Sequence, residues 1–77
     1  MNLYLLTRPE GADYDEFDAI IVSAPDEATA RRIHPLNKPF GDHFSCWTPT
    51  PETLEVTLLG TALTNESKLI LGSFNAG

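Results

Sequence analysis

Five carboxylates fall within nine residues, at Glu10, Asp13, Asp15, Glu16 and Asp18, with Tyr14 and Phe17 set among them. Carboxylates at this density suggest three kinds of chemistry: cation binding, acid/base catalysis, or docking against a basic partner. A calcium loop needs glycine at its sixth position and a distal glutamate, and the run beginning at Asp13 has neither. Carboxylate catalysis needs one acid whose pKa is raised in a shielded pocket, and several like charges on a solvated loop offer no shield. Two readings stay open. One is a solvated loop that keeps a hairpin soluble and its edge unpaired. The other is a partner-binding surface formed by Asp13, Tyr14, Asp15, Glu16 and Asp18, favoured by aromatic anchors ringed by charge. An exposed Tyr14 argues for the interface, and rings buried in the core argue for scaffold.

The borderline metal ligands are few. His43 and Cys46 have the spacing of half a zinc site, but a structural site requires four ligands and only Asp42 or another carboxylate could complete this one, so no metal and no cofactor are expected. A thiol nucleophile at Cys46 would need a helix N-terminus or a basic cluster to lower its pKa, and neither is visible. Cys46 is expected instead to be a small buried residue beside Trp47. The chain is therefore expected not to be an enzyme. Arg31 and Arg32 beside His34 make the one basic spot. A small anionic ligand such as a nucleotide could dock there, stacked on Trp47 or Phe44. In the competing view Arg31 pairs with Glu27 four residues earlier while one of the two arginines balances the acidic loop.

The elements that must position these groups follow from local pattern. Asn2 to Thr7 reads as a strand apolar on both faces, ended by Pro9 and Gly11. Glu16 to Ser23 reads as a second strand, with the β-branched Ile20-Ile21-Val22 run favouring pleated backbone. Asp26 is placed to cap a helix of about two turns before Pro35, accepting from the amides of Ala28 or Thr29. Residues 35–51 carry four prolines with Phe40, Phe44 and Trp47, and should pack irregularly over the core. Strands follow at 54–61 and 68–74, separated by a turn at 64–66. The expected fold is α+β, β-β-α-β-β, with two hairpins bracketing one helix that packs on one face of a four-stranded antiparallel sheet.

Length and charge set bounds. The 77 residues fit one small domain, 1–77, of modest stability. A net charge of −6 disfavours direct nucleic-acid binding and anionic membrane surfaces, both of which draw affinity from Lys and Arg. A protein with a basic surface is the natural partner. A single cysteine and no secretory leader point to the cytoplasm.

The segments Met1-Asn2-Leu3-Tyr4-Leu5-Leu6-Thr7, Tyr14-Asp15-Glu16-Phe17-Asp18, Ala30-Arg31-Arg32-Ile33-His34-Pro35 and Ser73-Phe74-Asn75-Ala76-Gly77 together resemble small phage and prophage accessory proteins of unassigned function. The resemblance spans nearly the whole chain and carries no catalytic or ligand residues with it. What it implies is a setting, the cytoplasm of an infected bacterium. In that setting small acidic proteins often inhibit host machinery, anti-CRISPR proteins among them. The function expected is thus a non-enzymatic inhibitor of a host protein or a nucleic-acid-handling defence complex, with Asp13, Asp15, Glu16 and Asp18 facing its basic residues. The alternative is an anionic-ligand binder using Arg31, Arg32, His34 and Trp47.

Overall fold

The computed structural model describes residues 1–9, 16–40 and 46–75. Its elements run β1 (Asn2–Thr7), β2 (Glu16–Ala24), α1 (Glu27–Arg31), a 3-10 turn (Pro51–Thr53), β3 (Glu55–Thr61) and β4 (Lys68–Asn75). The fold is α+β, a four-stranded antiparallel sheet with one short helix on one face.

β1 and β2 form the expected hairpin, in register from Asn2 opposite Ala24 to Thr7 opposite Ala19. The expected second hairpin does not form. The strand order is β3-β1-β2-β4, so the last two strands lie on opposite edges. β1 and β2 are apolar on both faces and therefore take the centre, while the polar alternation of Glu55, Thr57 and Thr61 suits β3 to an edge. The 62–67 connection must cross three strand spacings, about 14 Å at about 4.8 Å each. Six residues reach that distance at about 3.3 Å apiece. The crossing is tied down where Ala62 N–H donates to the Met1 carbonyl (2.8 Å) and the buried Ser23 hydroxyl donates to the Glu66 carbonyl.

Pairing across the sheet assigns residues to faces. Val56, Leu6, Ile20 and Gly72 form one row, and Leu58, Tyr4, Val22 and Leu69 another, on the face that carries the core. Leu6, Ile20 and Val22 are buried with Ala30 of α1, Trp47 and Leu54. Each large aliphatic buried there contributes about 1.5–3 kcal/mol. Phe17 joins this layer half-buried. Its ring lies over Gly72, where an added Cβ would stand 2.6 Å from Phe17 Cε1. Phe40 packs against the same cluster that holds Trp47, so the described part of the proline-rich segment covers the core as expected; Phe44 lies outside the described residues.

α1 is held at both ends. Asp26 caps it, accepting from Thr29 N–H at 2.8 Å, and that backbone hydrogen bond holds the Asp26 carboxyl below its ordinary pKa. Five residues are too few to be helical on propensity alone, so tertiary ties matter. Arg31 provides them: its guanidinium meets Glu27 Oε2 at 2.9 and 3.1 Å. Its Nη1 donates to the carbonyls of Pro51 (3.0 Å), Glu52 (3.2 Å) and Leu54 (2.8 Å). The expected Glu27–Arg31 pair is thus half of a clamp between the helix and the 3-10 turn.

Candidate functional site

Of the acidic candidates, Asp13, Tyr14 and Asp15 lie outside the described residues, as does His43. Glu16 and Asp18 stand at the start of β2. Glu16 is paired with Arg8, Oε1 to Nη1 at 3.1 Å, while Asp18 is exposed. Among the described residues, the arginine that meets the acidic segment is Arg8, reached through the β1–β2 register. Phe17 belongs to the core layer. Its N–H also donates to the carbonyl of Cys46 at 2.9 Å, which fastens the entry of β2 to the irregular segment. Cys46 itself is half-buried, in left-handed backbone (φ +61°), where full burial was expected.

The basic candidates separate. Arg31 is committed to Glu27 and three carbonyls, and it shares with Arg32 only a small cavity of about 130 Å³ beside Ala28, Pro51 and Glu52; Trp47 is in the core at 3 % exposure and lines no cavity with either. Arg32 is exposed. His34 is buried, with Nδ1 accepting from Leu36 N–H at 3.0 Å and its ring edge-on to Phe40 at 5.4 Å. Those two do line one cavity, with partners from β4. Among the described residues no three His, Cys, Asp or Glu side chains gather as a metal site.

The feature that sequence reasoning missed is the other face of the sheet. The row Thr57, Leu5, Ile21 and Leu71 and the row Gly60, Leu3, Ser23 and Lys68 face away from the core. No helix of the described residues covers them. A shallow depression of about 90 Å³ lies over Leu5, Ile21 and Leu71, flanked by Ala19 and Ser73. A second, of about 470 Å³, lies over Leu3, Leu63 and Ile70. Leu71 is 61 % exposed, Ile70 45 % and Leu63 fully exposed. The third row on this face, Glu55, Thr7, Ala19 and Ser73, ends the apolar surface beside the start of β2. Six aliphatic side chains thus form one patch with its acidic border at one end. The two-sided apolar character of β1 and β2 was the available signal; a single helix can cover one of the two faces only.

Comparison with known proteins returns no matching family model, no matching curated protein and no matching solved structure. No helix of the described residues is long and apolar enough to cross a membrane.

Proposed function

We propose that this chain is a non-catalytic protein-binding module that docks the uncovered face of its sheet on a partner surface apolar at its centre and basic at its rim. The observation that carries this is the patch of Leu3, Leu5, Ile21, Leu63, Ile70 and Leu71, which no helix or strand of the described residues covers. Contiguous apolar surface on a small domain marks an interaction site. Four strands and about six residues of rise give this face a footprint of about 400 Å² before side-chain relief. A standard interface buries about 800 Å² on each partner, so neighbouring surface must join. Glu55 borders the face at one end, and with a net charge of −6 it favours a basic rim on the partner. The resemblance to phage accessory proteins supplies a setting in which a nucleic-acid-handling host protein has that surface. Inhibition of such a host protein is the proposed outcome.

Leu71 and Leu58 allow a matched test, because both are leucines at 61 % exposure on opposite faces of the sheet. Leu71→Lys should weaken capture of the host partner about tenfold or more, and Leu58→Lys should leave it unchanged. Equal effects, or a concentration-dependent dimer in ultracentrifugation that Leu71→Lys abolishes, would overturn the proposal in favour of a nonspecific surface or a second copy of the chain.

A further inference from the structure

We infer that the cavity between the α1 exit and the start of β4 is a binding site for a phosphorylated small molecule of nucleotide size. The cavity holds about 420 Å³ and is walled by Arg32, His34, Lys38 and Lys68, with Ile33 and Leu69 among its apolar lining. Three of the five basic residues in the sequence therefore converge on one concavity in a chain of net charge −6. No carboxylate of the described residues lines it. Glu66 approaches Lys68 at 3.7 Å, but both side chains are at least half exposed, and such a contact holds the lysine weakly. Gathering three cations costs mutual repulsion that an anion relieves.

The wall is shaped before any ligand arrives. Asn37 adopts left-handed backbone (φ +55°), its N–H donates to the His34 carbonyl at 3.0 Å, and Leu36 N–H donates to His34 Nδ1. The residues 34–37 therefore form a hydrogen-bonded turn. Because Nδ1 accepts, neutral His34 carries its proton on Nε2. The size lies within the range of small-molecule sites, which combine an apolar lining with a few polar groups. Here Arg32, Lys38 and Lys68 suit phosphate oxygens, while Ile33, Pro35 and Leu69 suit the flat face of a base or another ring.

The site shares none of the six apolar residues of the proposed docking face, so either can fail without the other. Calorimetric titration of the full chain with inorganic pyrophosphate, adenosine triphosphate and adenosine tests it, alongside an Arg32→Gln, Lys38→Gln variant. Both positions are exposed, and an unchanged amide NMR spectrum away from the cavity checks the variant's fold. Pyrophosphate and the triphosphate should bind, adenosine should not, and the double variant should weaken binding at least about tenfold. Tighter binding of the triphosphate than of pyrophosphate assigns the apolar lining to the base; equal affinity assigns the site to the phosphate groups alone. Absence of binding in the millimolar range, or affinity unchanged in the variant, would overturn the inference. Tighter binding of a single-stranded oligonucleotide than of the mononucleotide would replace it with nucleic-acid binding.

Discussion

The contact between Phe17 and Gly72 makes a sharp prediction because its sign depends on one ring. Alanine in a strand ordinarily stabilises by about 0.5–1 kcal/mol over glycine, through the entropy of the unfolded chain. At position 72 the added Cβ would lie 2.6 Å from Phe17 Cε1 and 2.8 Å from Cδ1, closer than van der Waals contact allows. The ring must move out of its half-buried place over the core layer, an overpacking cost of about 1–3 kcal/mol. Gly72→Ala should therefore destabilise the domain by about 1–2 kcal/mol net, or roughly 4–16 °C in Tm for a chain of this size. Phe17→Val removes the ring atoms at issue and keeps a residue suited to a strand. In that background Gly72→Ala should become stabilising by about 0.5–1 kcal/mol. Urea unfolding of the four chains gives the coupling directly. Were Gly72→Ala neutral in the parent, or equally costly with and without the ring, the assignment of Phe17 to the core layer would be wrong. Its place among the carboxylates as a docking anchor would then return.

Two further predictions concern the helix. Arg31→Lys keeps the charge but cannot reproduce a guanidinium that meets Glu27 and three carbonyls together, so urea unfolding should show a loss of about 2–4 kcal/mol. A loss no larger than that of Arg32→Lys would show that the clamp contributes little. Asp26 has a lowered pKa when folded, so the unfolded chain binds its proton first as pH falls. Its stabilising effect is fully present above the ordinary carboxylate range and is lost as pH drops through the folded value. Asp26→Ser keeps a capping oxygen without that titration, and Tm measured between about pH 5 and pH 2 should fall less steeply in the variant. Parallel profiles would count against the cap as a source of acid sensitivity.

The parts of this fold written locally were legible. The Ile20-Ile21-Val22 run, the Asp26 cap and the Glu27–Arg31 spacing each act within a few residues, and each appears where the pattern places it. Strand order was not legible, because β3 and β4 can pair either with each other or with the central strands, and the choice depends on which strands need both faces covered. Phe17 was obscured in another way. Its sequence neighbours are acidic, whereas its structural neighbour is a glycine 55 positions away across a bulged ladder. The basic cavity was hidden for the same reason. Arg32 and Lys38 are close in sequence, but Lys68 reaches them only because it pairs with Ser23, next to the end of β2 from which the chain turns into α1. The expected grouping of Arg31 and Trp47 with Arg32 and His34 fails because Arg31 meets Arg32 in a separate small cavity that excludes His34, and Trp47 is buried away from both. Arg31 turns instead to the 3-10 turn and Trp47 to the core.

The two proposed surfaces meet at one residue, and this determines how they can be separated. Lys68 walls the basic cavity and also borders the depression over Leu3, Leu63 and Ile70. The β3–β4 crossing produces this junction: it carries Leu63 over the uncovered face of the sheet and delivers Ser67 and Lys68 to the sheet end beside the exit of α1. A protein partner that covers the apolar patch as far as its edge reaches Lys68, and the basic rim expected of that partner would repel it. A phosphorylated ligand bound beside Lys68 screens that charge. Ligand and partner should then bind with positive coupling, each raising the other's affinity by the same factor. Lys68→Gln should remove the coupling while leaving partner affinity at least as high as in the parent. Arg32→Gln with Lys38→Gln should weaken the ligand alone, and Leu71→Lys the partner alone. Mutual exclusion of ligand and partner would show that the partner itself occupies the cavity, with an acidic group where a basic rim was proposed.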